Sequence, residues 1–323
     1  MIVVWRVTTH CNLACPFCAY DRRLPFTRTH AAPESICRFL GVLADYQNAS
    51  GDPVMVSWLG GEPLLWPMLP ELTTHATSLG LRVSATTNGS TLGSPAVRRH
   101  LLDHYAELTI SLDAPDATHD TQRGSNGLFE ALRENVPELS RSRRAMARPM
   151  KLRVNTVLLR STIARFSGIA REVASWGVDE LTFNILGGRD RPEYFSENRP
   201  HPEQIAEFTH QLPALRRELA GRGLAIAGSP AYLDRLHSSA AGQLRPVHDC
   251  GPAERFLFID EHGSVSPCSF TTSTLAVPLA EIHHSSDLMS LPLRFATSRT
   301  TRRPRDCDDC PSTQVFEKFA PSP

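Results

Sequence analysis

The chain reads as an α/β protein built on a mostly parallel sheet. Three observations predict this. From residue 2 to about residue 183, short β-rich runs alternate with helix-length amphipathic stretches, at the spacing of βαβ units. Pro33, Pro67 and Pro95 stand near the starts of helical stretches, where a missing backbone N–H costs little. The alternation runs through six units, too few for a closed eight-stranded barrel.

The strands are expected at 2–7, 54–58, 82–87, 107–112, 152–158 and 180–183. Helices are expected between them, near 33–46, 67–79, 95–105, 128–139 and 163–176. Gly187-Gly188 begins a change of character, and the polar, proline-bearing segment 189–202 reads as a long loop. A helical pattern returns at about 202–222. Near the C-terminus, 255–260 and 264–268 flank Glu261-His262-Gly263, the pattern of a hairpin with glycine at its turn. The Pro321-Ser322-Pro323 end is expected to fray. The resulting division is a core at 1–186, a linker and helical segment at 187–245, and a C-terminal unit at 246–323.

A chain of 323 residues, 41% apolar and 21% charged, suits a soluble globular protein with one large core and a small appended unit. Acidic and basic residues balance at 34 each, so there is no electrostatic footprint for nucleic acid or an anionic membrane. No apolar run is long enough to span a bilayer. The N-terminus lacks a basic region and a cleavage site, so a cytoplasmic location is expected. Arginine almost wholly replaces lysine, with only Lys151 and Lys318 present.

Eight cysteines in a reducing compartment point to metal ligation before disulfides. Just after the first strand comes Cys11-Asn-Leu-Ala-Cys15-Pro-Phe-Cys18. Three thiolates at this spacing can wrap three corners of a cuboidal iron–sulfur cluster and leave one iron open for chemistry. Zinc is the alternative, although it usually wants four protein ligands and paired spacing. The segment, including the aromatic Phe17 before the last cysteine, resembles the signature of the radical S-adenosylmethionine (radical SAM) superfamily.

That resemblance implies a partial (β/α)6 barrel, TIM-like, with its active site at the C-terminal ends of the strands. It implies a 4Fe–4S cluster whose open iron chelates the methionine end of S-adenosylmethionine (SAM). One-electron reduction then splits SAM into methionine and a 5′-deoxyadenosyl radical, which takes hydrogen from an unactivated carbon. The electron implies a reducing partner such as flavodoxin or ferredoxin.

Gly60-Gly61-Glu62-Pro63, after the second strand, matches the family's GGEP motif, whose residues bind the SAM amino group. Glycines permit close backbone approach, and carboxylate and carbonyl acceptors suit an ammonium. On its own the motif could be a type II turn. Thr86-Thr87-Asn88-Gly89, Ile110-Ser111-Leu112-Asp113 and the stretch from His119-Asp120 to Arg123-Gly124 resemble further family segments. Thr87, Ser111, Arg123 and Asn155 are thereby candidates for the ribose or the methionine carboxylate, with turn or cap chemistry as the alternative.

A second cysteine set follows. Cys250 precedes Gly263 and Cys268, and Cys307-Asp-Asp-Cys310 comes later. The layout resembles the twitch domain, a shortened SPASM-like unit of hairpin and helix, which carries an auxiliary 4Fe–4S cluster. Four-cysteine zinc is the alternative. Cys37 is left over, and its place in the first helix reads as a small buried hydrophobe.

By analogy with twitch-type relatives, the expected substrate is a small hydroxylated or aminated molecule: a sugar, aminocyclitol or nucleoside of specialised metabolism such as antibiotic biosynthesis. The expected reaction is a two-electron dehydrogenation. The first strand begins at residue 2, which sets an expectation against an N-terminal leader-peptide domain. Epimerisation, peptide maturation and a non-catalytic iron–sulfur redox or sensor role are the competing readings. The last is disfavoured by GGEP, which serves no purpose without SAM.

Overall fold

A computed structural model describes residues 1–319 of the chain. Six βα units follow one another: β1 (Ile2–Thr8), α1 (Pro33–Ser50), β2 (Met55–Gly60), α2 (Leu69–Ser78), β3 (Arg82–Thr87), α3 (Pro95–His104), β4 (Glu107–Ser111), α4 (Thr118–Arg123), α5 (Leu128–Arg144), β5 (Lys151–Leu158), α6 (Phe166–Ser175) and β6 (Glu180–Ile185). Then come α7 (Pro192–Asn198), α8 (Pro202–Ala220), β7 (Ala225–Ile226) and α9 (Pro230–Ala240). The C-terminal part adds β8 (Phe256–Ile259), β9 (Ser264–Ser266), α10 (Thr272–Leu275), β10 (Val277–Pro278) and α11 (Ser285–Thr301).

The ten strands of the described residues form one sheet in the order β10-β9-β8-β1-β2-β3-β4-β5-β6-β7. Every pairing from β8 across to β7 is parallel, and β8, β9 and β10 pair antiparallel. The sheet does not close, so the fold is a partial barrel. Because β1 to β6 are parallel, their C-terminal ends share one edge. The loops that leave that edge carry the motifs described above.

The strands alternate in burial where a two-sided parallel strand would be apolar throughout. Along β5, Leu152, Val154 and Leu158 are buried under the helices, while Lys151, Arg153 and Asn155 lie on the other face. Each such buried aliphatic side chain contributes about 1.5–3 kcal/mol. Trp5, Trp58 and Phe39 anchor the helix-covered core, Trp5 and Phe39 meeting edge to face at 5.7 Å. Trp58 Nε1 donates to Thr73 Oγ1 at 2.9 Å, which satisfies its buried N–H.

The polar faces line a chamber of about 640 Å³, bordered by Ser57, Ser84, Thr86, Thr109, Asn155, Thr182 and Asn184 among others. Nearest the strand starts, charged pairs bridge neighbouring strands. Arg153 meets both Glu107, at 3.2 Å, and Glu180, while Lys151 meets Glu180 at 2.7 Å.

Several expectations are corrected. The segment read as loop contains α7, whose Pro192 starts a helix in spite of its polar surroundings. Cys37 is exposed on α1, not buried, because the core face of that helix is taken by Ile36, Phe39, Leu40 and Leu43. The C-terminal hairpin is present, but it joins the barrel sheet through the β1–β8 pairing. The expected frayed end at Pro321–Pro323 lies outside the described residues.

Candidate active site

Cys11, Cys15 and Cys18 lie on the loop that leaves β1. Each sulfur faces a donor. Leu13 N donates to Cys11 Sγ at 3.4 Å, Tyr20 N to Cys18 Sγ at 3.3 Å, and Arg123 Nη1 lies 3.9 Å from Cys15 Sγ. Burial pushes the Cys18 thiol up to about 11 and raises those of Cys11 and Cys15. Without a cation the three are held as thiols. Their donors are placed for thiolate character, and an iron cluster supplies the charge that would release it. The residues therefore fit a three-cysteine cluster.

The loop is braced from α4. Ala14 N donates to the Arg123 carbonyl at 3.0 Å, and Gly124, at φ +61°, lets α4 end hard against Ala14. A Cβ at Gly124 would lie 2.7 Å from Ala14 Cβ. Arg123 pairs with buried Asp113 at 2.7 Å, and its guanidinium lies 5.3 Å from the ring centre of Phe17. Asp113 also accepts from Val157 N. Arg123 thus stands behind Cys15, where its positive charge lowers the cost of a thiolate.

Gly60 and Gly61 have a different use from close approach to a ligand. A Cβ on either would collide with a backbone carbonyl of the cysteine loop, Thr8 O or His10 O. Gly61 N and Glu62 N donate to those same two oxygens at 2.9 and 2.8 Å. The glycines therefore clamp the second motif onto the first. Glu62 is fully buried, with Pro63 beginning the short turn beside it. Its carboxylate accepts from Leu64 N, Thr87 Oγ1 and Asn88 N at 3.1, 2.8 and 2.6 Å. Burial still pushes its carboxyl up to about 7. A cavity of about 250 Å³ is bordered by Glu62, Cys11, Asn12 and the stacked rings of His30 and Trp66. An ammonium there would meet a carboxylate that needs a cation.

The other candidates separate. Thr87 supports Glu62. Ser111 ends β4 beside Asn155 in register. Asn155 Oδ1 accepts from Thr182 Oγ1 at 2.9 Å and from Lys318 Nζ at 2.8 Å. Sequence reasoning missed Asn88, Asn184 and Lys318 as site residues. For Lys318 a signal existed, since it is one of only two lysines in an arginine-rich chain.

Cys250, Cys268, Cys307 and Cys310 border a second cavity of about 300 Å³, together with Arg299. Arg235 Nε, from α9, donates to the Cys310 carbonyl at 2.9 Å, and Val247 N donates to that of Cys307 at 2.9 Å. Burial pushes the Cys310 thiol up to about 11. Among the described residues, no three His, Cys, Asp or Glu side chains converge closely enough to hold a single metal ion. No helix of the described residues is long and apolar enough to cross a membrane.

Comparison with known proteins gives the following. Residues 5–154 match the model of the Radical SAM superfamily. An AdoMet-dependent heme synthase of Nitratidesulfovibrio vulgaris is 28% identical over 291 residues, 83% of this chain and 73% of that protein. A PqqA peptide cyclase of Xanthomonas euvesicatoria pv. vesicatoria is 24% identical over 322 residues, 97% of this chain and 80% of that protein. Among solved structures, Streptococcus suis SuiB bound to S-adenosylmethionine superposes with a TM-score of 0.67 at 15% identity, over 98% of this chain and 71% of that one. An open parallel barrel presents a three-cysteine loop at the end of its first strand, and the Radical SAM match across residues 5–154 bears out, for that region, the resemblance read from the cysteine spacing.

Proposed function

We propose that this radical SAM enzyme removes two electrons from a carbon bearing a hydroxyl or amino group, in a small polar substrate of specialised metabolism. The carrying observation is the second cavity, with four cysteines on its wall. Four thiolates would close the coordination of an auxiliary 4Fe–4S cluster, which then has no open iron for substrate but can take an electron. When bound, SAM and the two clusters supply a hydrogen-abstracting radical and an electron acceptor.

The chain's own residues do the rest. Glu62 would hold the SAM amino group, with Thr87 and Asn88 fixing its carboxylate. Phe17, Ser111 and Arg123 stand at or behind the same strand edge. Arg235 and Arg299 hold the Cys307–Cys310 corner and offset its negative charge. The hydroxyl- and amide-lined chamber offers hydrogen bonds to a polar substrate. A flavodoxin- or ferredoxin-type partner would deliver the reducing electron.

A peptide substrate is the second reading. It is favoured by the PqqA peptide cyclase, whose similarity runs across 97% of this chain. Epimerisation needs a hydrogen-donating thiol, and Cys37, the one cysteine outside the two sets, lies exposed on α1. The test is to incubate reduced, reconstituted enzyme and SAM with deuterated metabolite and peptide fractions. Deuterium should enter 5′-deoxyadenosine from a small polar metabolite. Transfer from the peptide fraction alone would replace the first reading with the second.

A further inference from the structure

The C-terminal segment runs back from Cys310 into the barrel. Gly228 N donates to the Lys318 carbonyl at 2.9 Å, Lys318 N donates to Thr313 O at 3.0 Å, and Ser229 Oγ donates to Phe316 O at 2.8 Å. This fixes Lys318 with its side chain among the walls of the 640 Å³ chamber, where the residue as a whole is 3% exposed.

Its ε-nitrogen has an unusual set of neighbours. Nζ donates to Asn155 Oδ1 at 2.8 Å and to Asn184 Oδ1 at 2.7 Å. Asn155 Oδ1 is fixed as an acceptor by Thr182 Oγ1 at 2.9 Å, while Tyr232 Oη, which donates to the Phe183 carbonyl at 3.0 Å, stands 3.3 Å from Asn184 Oδ1. No carboxylate lies within ion-pair distance of Nζ among the described residues. The charged groups that face it are Arg153 on β5, which opposes an ammonium, and Glu180 on β6, which favours one. Glu180 is already shared by Arg153 and Lys151. On its own segment the next residue, Phe319, presents a ring 5.0 Å from Nζ. Two acceptors consume the two N–H bonds of a neutral amine and leave its lone pair free. An ammonium would have a third N–H, with only the face of the Phe319 ring to meet it among the described residues.

Placement points the same way. Asn155 pairs in register with Ser111, at the C-terminal end of β4. Nζ therefore lies at mid-height of the sheet, between the Lys151–Glu180 pair at the strand starts and the edge from which the cysteine loop and Glu62 emerge. Burial pushes its amine down to about 7, in the range where a base works at neutral pH.

We propose that Lys318 is the base of the chamber: its neutral ε-amine touches the substrate and takes the proton released when the adjoining carbon is oxidised. This rests on the two-electron oxidation argued above. After hydrogen-atom loss from carbon, the O–H or N–H proton of the resulting radical passes to Nζ. A cluster held by Cys250, Cys268, Cys307 and Cys310 would take the remaining electron, and a second carbon–oxygen or carbon–nitrogen bond would form. Nζ ends as an ammonium held by Asn155 and Asn184, and it returns its proton to solvent before the next turnover.

Two of the tests need no substrate. With only two lysines in the chain, lysine labelled with ¹³C at Cε gives two side-chain signals in the oxidised holoenzyme, and Lys318→Met identifies one of them. That signal should titrate with a midpoint of about 7. A midpoint near about 10.4, the free lysine value, overturns the proposal. Competitive acetylation with acetic anhydride at neutral pH should modify Lys318 faster than Lys151, and an unreactive Lys318 overturns it, since no substrate could then reach Nζ. The third test uses the fraction that supports turnover. Lys318→Arg keeps donors for both asparagines but cannot accept a proton. Oxidised product should fall about a hundredfold or more, while deuterium found in 5′-deoxyadenosine per product formed rises. A variant that oxidises substrate at the wild-type rate overturns the assignment. If no fraction is turned over by the wild type, the proposed function fails, while a midpoint near 10.4 or an unreactive Nζ would sink the base by itself.

Discussion

Arg123 Nη2 lies 2.7 Å from Asp113 Oδ2, in an ion pair buried behind Cys15. Removing one member of such a pair leaves the other charge uncompensated, a loss of about 3–5 kcal/mol. Arg123→Met should therefore destabilise the protein by about that amount in denaturant titration. Arg123→Met with Asp113→Asn should cost less than Arg123→Met alone. Equal losses would mean that Asp113 is not left charged when its partner goes.

Glu62 makes the site's pH dependence explicit. Its folded-state value is about 7 against an ordinary 4.5, and burial is the main cause. Between those values the folded protein binds a proton that the unfolded chain has lost. Stability from this group is thus complete below about pH 4.5 and is lost as pH rises through 7, by at most about 3 kcal/mol. Glu62→Gln should flatten the pH dependence of unfolding in that window. An ammonium beside Glu62 lowers its value again, so SAM binding near pH 6.5 should release a proton. Calorimetry in buffers of different ionisation enthalpy should show that release in the wild type and not in Glu62→Gln.

Much of this was legible in the sequence because it is local. The prolines that open α1 and α3, the alternation along β4 and β5, and the spacing of Cys11, Cys15 and Cys18 each fall within one element or one loop. What escaped depends on distant partners. Nothing near Phe256–Ile259 says that β8 will lie beside β1, or that the chain after Cys310 will return to place Lys318 between Asn155 and Asn184. The exposure of Cys37 has a subtler reason. A small apolar residue on an amphipathic helix is assigned a face by its neighbours, and Ile36, Phe39 and Leu40 already filled the core side.

Gly61 tests whether the two N-terminal motifs form one unit. A methyl group there would strike the His10 carbonyl and crowd Cys11 Cβ at 3.0 Å. Both atoms belong to backbone or to the cluster loop, so the strain cannot be relieved by a rotamer change. Gly61→Ala should cost about 1–3 kcal/mol and lower iron loading at the N-terminal site. Normal iron content and unchanged SAM cleavage would show that the loop can yield at no cost.

The two cysteine sets should load independently. Reconstitution is expected to give about eight irons per chain, from two four-iron clusters. Replacing Cys11, Cys15 and Cys18 together with alanine should abolish SAM cleavage and leave about four irons. Full activity with zinc at the C-terminal set would count against an auxiliary cluster.

The last prediction concerns the product. Hydrogen abstraction removes one electron from the substrate carbon, and the auxiliary site would remove the second, so SAM should be consumed once per turnover. The product should be two hydrogens lighter than the substrate, a ketone or an imine that hydrolyses to one. Epimerisation would leave the mass unchanged and put one solvent deuteron on carbon when run in D2O. That outcome requires a thiol beside the radical. Cys37 sits on the outer face of α1, away from the chamber walls, so the donor would have to come from Cys250, Cys268, Cys307 or Cys310. An isomeric product would therefore disprove the four-cysteine auxiliary cluster as well as the oxidation, and mass spectrometry of one purified turnover decides both.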